Sequence, residues 1–262
     1  MRIQPGPLTN VEKVCLALAM TWAAGFVDLV GYFSLYGIYT ANMTGNTVAM
    51  ARHLSQLEWA GVVRRGWPIL TFVFGLILGA FIYEAEERRR IKVPFPPAIG
   101  LEALLIAIFI AAAIGNNFRA DIPPQPAFKF FAMVALLAVA MGLQNVVIRK
   151  VGGLNVYTTF VTGSLVKFAE NLSLYLFWLH DRTRGRLRSR LVKVIRMSPR
   201  SIPLRRAALT LGLWIAYLIG AVCGGVSIQR WALLGMLAPF IVLAAIALYG
   251  AFRPFLTLSE EW

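Results

Sequence analysis

The sequence predicts an all-α polytopic membrane protein made of two pseudo-symmetric repeats, each with three transmembrane helices plus a Thr-Gly half-helix. Three observations carry that reading: composition, an internal repeat and the placement of the arginines. Of 262 residues, 58% are apolar and 15% charged, and the mean hydropathy is +0.68. A soluble domain is about 45–50% apolar and about 25% charged. Several apolar runs approach or exceed the roughly 20 residues that cross a bilayer. They lack the regular polar punctuation of a soluble α/β protein.

The repeat is read directly. Tyr39-Thr-Ala-Asn-Met-Thr-Gly-Asn-Thr-Val48 returns as Tyr157-Thr-Thr-Phe-Val-Thr-Gly-Ser-Leu-Val166. Without gaps, residues 39–55 and 157–173 share eight identities in seventeen positions. Upstream, Gly25-Phe-Val-Asp28 answers Gly142-Leu-Gln-Asn145, one residue out of step, and downstream Gly75-xxx-Gly79 answers Gly220-xxx-Gly224. Self-similarity of this kind divides one integral membrane domain into a first repeat, 1–120, and a second, 121–262.

In chain order, the first span covers Val11–Tyr36 with Asp28 inside it, and its repeat content argues against a cleaved signal peptide. The polar Thr-Gly-Asn stretch follows and continues as a helix to Leu57. Trp67–Tyr83 is the next span, with Pro68 suited to its first turn. The turn at 84–92 carries Arg88, Arg89, Arg90 and Lys92. Pro94–Gly115 spans again, with Glu102 about two turns in, placed to be hydrated from the cytoplasmic side. The proline-rich loop Asn116–Pro126 separates the halves. Ala127–Ile148 is the next span, Gly152–Phe160 a glycine-containing approach, and the Thr-Gly-Ser helix runs to Leu179. Spans at Ala207–Val226 and Trp231–Gly250 complete the second half. The small-xxx-small spacings read as close helix packing.

Charge decides the topology. Residues 181–206 hold ten Arg/Lys and one Asp, which accounts for much of the net +14. Such an excess marks a cytoplasmic loop rather than nucleic-acid binding. If both Thr-Gly helices crossed the membrane, giving eight spans, the basic segments at 88–92 and 181–206 would fall on opposite faces. If each is a re-entrant half-helix, six spans remain, both basic segments and both termini are cytoplasmic, and the halves are inverted. Arg52, Arg64 and Arg65 on the outer side, and the eighteen-residue length of Thr162–Leu179, weigh for the spanning alternative. The sequence prefers the re-entrant one.

In that arrangement two helix N-termini meet near the midplane, each with unpaired N–H groups and a partial positive charge. The candidate solute-binding residues are Asp28, Asn42, Thr44, Gly45 and Asn46 in the first half. Asn145, Thr162, Gly163, Ser164 and Lys167 are their counterparts in the second. Asp28 stands out because an ionisable group inside a span is costly. A charge pair between Asp28 and Lys167 across the pseudo-twofold axis is one expectation, either static or exchanged for solute or proton. Taken alone, Thr44 and Thr162 also read as simple helix caps. Cys15 and Cys223 make no disulfide framework. No His/Cys/carboxylate set has metal spacing, and no catalytic or cofactor motif appears, so the expectation is no enzyme, no metal and no cofactor. The stretch Arg184–Arg196, with Leu187, Leu191 and Val194 among arginines, could lie on anionic lipid as a basic amphipathic helix.

Gly25-Phe-Val-Asp28, Thr40-Ala-Asn-Met-Thr-Gly-Asn-Thr-Val48, Gly142-Leu-Gln-Asn145 and Thr158-Thr-Phe-Val-Thr-Gly163 resemble the YoaK-like bacterial membrane proteins, a family of unknown function. The resemblance runs over about residues 12–252 and departs mainly in the basic loop. It implies a multi-span protein of the bacterial cytoplasmic (inner) membrane, with no substrate named. The expected function is a transporter or channel for a small anionic or neutral solute, with Asp28 as coupling group. The plan is analogous to aquaporin-like channels, without their Asn-Pro-Ala motif. The alternative is a non-transporting scaffold or lipid-interacting protein acting through the basic loop. Self-association into a homo-oligomer stays open.

Overall fold

Apolar runs that cannot be satisfied by water close their own backbone hydrogen bonds, so the described chain is helical. The computed structural model describes residues 10–88, 96–115, 127–152, 161–183, 198 and 201–252. The helices are α1 (Asn10–Ser34), α2 (Met43–Ser55), α3 (Trp59–Arg88), α4 (Pro96–Gly115), α5 (Ala127–Gly152), α6 (Val161–Thr183), α7 (Ile202–Trp231) and α8 (Leu237–Phe252). A 3-10 turn, Ala232–Met236, joins α7 to α8. Val11–Ser34, Trp59–Glu86, Pro97–Gly115, Phe128–Val147 and the 51-residue Ile202–Phe252 are long and apolar enough to cross a membrane. Large apolar side chains also point outward, among them Phe74, Ile77 and Phe81 on α3 and Leu218 and Val222 on α7. A bilayer covers such a surface; water would not. The chain is a multi-pass membrane protein.

Contacts fix the helix directions. Gly220 and Gly224 of α7 sit against the backbone of Trp22 and Phe26 of α1, in rising order, so these helices are parallel. Gly75 and Gly79 of α3 sit likewise against Val139 and Leu143 of α5. Helix α5 is antiparallel to α1, since Gln144 Nε2 donates to Met20 O at 2.8 Å and the Phe130 ring meets Tyr36 at 5.8 Å. At Ala232, with φ of +49°, the chain turns back. Helix α8 returns until Tyr249 Oη donates to Glu12 Oε1 at 2.8 Å, beside the start of α1. The last long apolar stretch therefore holds two antiparallel helices.

The two helices that begin with Thr-Gly behave differently from the others. Helix α2 has 13 residues, about 20 Å at 1.5 Å per residue, too short for a core about 30 Å thick. It starts beside Asp28, about two turns before the end of α1, and runs back toward the level where α3 begins. Its Met50 and His53 lie against Gly66 and Gly61 of α3. Helix α6 starts near the beginning of α2 and runs the other way, where Tyr175 Oη is bonded to Ser198 Oγ just ahead of α7.

Several expectations need correcting. Pro68 lies inside α3 rather than at its first turn. The helix begins eight residues earlier than predicted, at Trp59, because Arg64 and Arg65 belong to the helix and not to a loop. Proline removes one hydrogen bond there, and Thr71 Oγ1 adds bonds to Trp67 O (2.9 Å) and Pro68 O (3.3 Å) on the same turn. Glu102 is fully buried, at 0% exposure, instead of hydrated. The paired small-xxx-small spacings pack as expected, though α3 meets α5 and α7 meets α1. The loop Asn116–Pro126, the segment 153–160 and the amphipathic stretch Arg184–Arg196 lie outside the described residues.

Candidate functional site

Between α1 and α2 the chain must leave one helix and start another within the apolar interior. Tyr36 and Gly37, with φ of +56° and +72°, end α1 in the left-handed region. Gly37 N closes the end on Tyr32 O at 2.9 Å. The Arg65 guanidinium reaches over from α3 to donate to the carbonyls of Gly37 and Tyr36. Residues Ile38–Asn42 then run without helical bonding, and Ile38, Thr40 and Ala41 are buried. Every N–H and C=O of such a stretch needs a partner.

Two side chains supply those partners. Asp28 Oδ1 accepts from Thr40 N and Ala41 N, both at 2.7 Å, and more weakly from Asn42 N at 3.4 Å. Its Oδ2 accepts from Tyr217 Oη of α7 at 2.6 Å. Asn46, fully buried on α2, pairs with Tyr39 as a strand neighbour would: Oδ1 accepts from Tyr39 N at 3.1 Å and Nδ2 donates to Tyr39 O at 2.6 Å. Asn42 caps α2, its Oδ1 accepting from Gly45 N at 3.1 Å, as short polar residues do at helix starts. A methyl group on Gly45 would come within 2.8 Å of the Tyr39 ring. Asp28 thus serves the fold first. It satisfies the backbone just ahead of α2 and ties it to α7.

Beside this anchor lies a cleft of about 790 Å³, within the usual range for a small-molecule site. Of the predicted residues, Asp28, Asn42, Thr44, Gly45 and Thr162 line it. Thr44 and Thr162, one at each helix start, are both exposed to it. Asn46, Gly163 and Ser164 are buried in the first turns of α2 and α6, and are not lining residues. Asn145 lies on α5, 4% exposed, where Nδ2 donates to Met141 O at 2.8 Å. Lys167 is a turn further along α6, and its carbonyl accepts from Asn171 Nδ2 at 2.7 Å. The expected Asp28–Lys167 pair does not form, because both Asp28 oxygens are already taken by the loop and Tyr217.

Three polar lining side chains were not among the candidate residues: Tyr39, Tyr217 and Arg52. Arg52 is exposed and stands with Gly45, Val48 and Ala49 on one face of α2, so it forms the rim on the side where α1 ends. Its 45–48–52 spacing was a legible signal, since residues three and four apart share a helix face. Tyr217 was harder to see. It is the residue that falls in place of Phe72 when Gly75-xxx-Gly79 is laid on Gly220-xxx-Gly224.

No solved structure matches the chain. Among known proteins it is similar to the UPF0700 transmembrane protein YoaK of Bacillus subtilis (strain 168), 28% identical over 170 residues, 65% of this chain and 69% of that one. Residues 16–249 match the family described as "Protein of unknown function (DUF1275)", and the chain belongs to it.

Proposed function

We propose that the protein moves a small neutral or anionic solute across the bacterial cytoplasmic membrane, binding it in the cleft between the starts of α2 and α6. The observation that carries this reading is the meeting of two oppositely running helix starts at a cleft with several polar side chains in its otherwise apolar lining. Broken helices at membrane depth are tolerated where they line a cavity, and transporters place their sites at such points. The donors available to solute differ from the first expectation. The N–H groups just ahead of α2 are taken by Asp28, and that of Gly45 by Asn42. What remains are the hydroxyls of Thr44, Thr162 and Tyr39, the amide of Asn42 and the Arg52 guanidinium. Asp28 and Arg52 nearly cancel in charge, which suits a neutral polar solute, and Arg52 at the rim suits an anionic one.

The architecture behind it is two inverted three-span repeats, six spans in all (α1, α3, α4, α5, α7 and α8), with α2 as a half-helix and α6, at 23 residues, a longer helix that starts inside the bundle. The glycine contacts support this. Gly25 meets Tyr217 O as Gly142 meets Phe72 O, and Gly220 meets Trp22 O as Gly75 meets Val139 O. These four contacts between the halves map onto one another in pairs. With the basic residues inside, the starts of α1 and α7 face the cytoplasm and the cleft opens outward past Arg52. In a cysteine-free background (Cys15 and Cys223 replaced), Arg64→Cys should react with a membrane-impermeant maleimide in intact cells and Arg188→Cys only after lysis. Labelling of Arg188→Cys in intact cells would sink the inverted plan.

Flux tests the function. In proteoliposomes challenged with a panel of small polyols and monovalent organic anions, the wild type should pass at least one solute above the empty-vesicle rate. Thr44→Val with Thr162→Val should reduce it. Arg52→Gln should lower anion flux about five- to tenfold, the effect of losing about 1 kcal/mol at an exposed charge, and spare neutral solutes. Unchanged fluxes in both variants would remove the cleft from the pathway. The scaffold reading rests on the basic loop, and nothing in the described residues favours it.

A further inference from the structure

We propose that Glu102 is a proton-binding site within the helix bundle, separate from the cleft. It is the seventh residue of α4, inside the span Pro97–Gly115. Its exposure is 0%, and both carboxyl oxygens lack a hydrogen-bond partner. The same face of α4 carries Ile99, Ala103 and Ile106, all buried.

Helix α4 packs on α5, α8, the 3-10 turn and, slightly, α3. The 3-10 turn has no titratable side chain, and α8 has only Tyr249, whose hydroxyl is bonded to Glu12. The basic residues of α5 stand at its ends: Lys129 in the first turn, Arg149 and Lys150 near the last. Helix α3 carries Arg64 and Arg65 near its start, and Tyr83, Glu84, Glu86, Glu87 and Arg88 near its end. Neither the Glu84–Arg88 ion pair nor the His53–Glu58 contact involves Glu102. A lone carboxylate in surroundings without water or partners is strongly disfavoured, and such a group binds a proton instead. A metal cation would need several ligands, and among the described residues no three or more His, Cys, Asp or Glu stand together to hold one. The ligand that fits is therefore a proton.

The site does not depend on the solute reading. Residues lining the cleft come from α1, α2, α6, α7 and the loop before α2, and none from α4. A proton held at Glu102 can leave only when the seam of α4 with α5 and α8 admits water, so the charge state of this residue is coupled to the opening of that seam.

Infrared difference spectroscopy tests the assignment on the purified full-length protein near neutral pH. Subtracting the spectrum of Glu102→Gln from wild type should reveal the loss of one neutral carboxylic-acid C=O band. Loss of a carboxylate stretch instead would overturn the proposal. Should the glutamine variant not fold, Glu102→Asp provides the comparison. It is expected to move the acid band without abolishing it, and a moved carboxylate band would count against the site.

Discussion

Replacing Asp28 by alanine is expected to lower the melting temperature of the detergent-solubilised protein by roughly 6–12 °C, the equivalent of about 3 kcal/mol in a chain of this size. The carboxylate is 3% exposed and accepts from Thr40 N, Ala41 N and Tyr217 Oη at 2.6–2.7 Å. Deleting it leaves two or three buried donors without acceptors, at about 1–3 kcal/mol each before relaxation. The adjoining cleft lets water reach part of the gap, which keeps the net loss near that of a single broken buried charge pair, about 3–5 kcal/mol. Asp28→Asn should cost less, about 1–2 kcal/mol, because Oδ1 still serves the loop while the charge-assisted bonds weaken to ordinary ones. Tyr217→Phe removes one bond and should fall below both. Melting read by size-exclusion fluorescence checks the order. An alanine variant that melts with the wild type would mean that the loop before α2 does not depend on Asp28.

That prediction also separates two meanings of a charge inside a span. The cost of Asp28 in the apolar interior marked it as functional by default, and a coupling role followed. The geometry supplies a nearer reason: a re-entrant approach exposes N–H groups that need an acceptor, and one carboxylate serves several at once. Asp28 of the first half is bonded to Tyr217 of the second, whereas their repeat counterparts are Asn145 of the second half and Phe72 of the first. The charged, phenol-bonded anchor therefore occurs once, which makes the two sides of the site unequal.

Much of the architecture was legible because it rests on local, periodic signals. Apolar run length gave the long helices, and the Thr-Gly repeat gave the starts of α2 and α6 to within a few residues. Boundaries failed where tertiary contacts overrode them. Arg65 looked like a loop residue, yet it is a helix residue that caps the left-handed turn at Tyr36 and Gly37 across 28 positions of sequence. Pro68 looked like a helix start, yet it lies inside α3, which begins nine residues before it. The site was half legible. Residues next to the motif in sequence were found, while Tyr217 came from a helix almost two hundred residues away. No pairwise periodicity reports such a contact.

The largest effects should come from the glycine seams, and they bear on the repeat itself. Substituting Gly142 by leucine is expected to abolish the folded, monodisperse protein, and even alanine should be strongly destabilising. A β-carbon at Gly142 would fall on Phe72 O and lie 2.9 Å from both Gly75 Cα and Leu76 N. These are backbone atoms, so no side chain can swing aside and α3 must move off α5. Overpacking among flexible neighbours costs about 1–3 kcal/mol, and rigid neighbours place this case at or beyond the upper end. Gly100 and Gly115 on α4 are the internal controls, with nothing within 4 Å of the added carbon. There alanine should be neutral or stabilise by up to about 1 kcal/mol, through helix propensity and the unfolded state. The pairing of effects is the sharper test. If the halves are related by a pseudo-twofold, Gly25→Ala should match Gly142→Ala, and Gly220→Ala should match Gly75→Ala, because each pair meets the same backbone carbonyl in the other repeat. A large loss at Gly142 beside a small one at Gly25 would show that the contacts resemble each other without bearing equal load, and would argue against two equivalent halves.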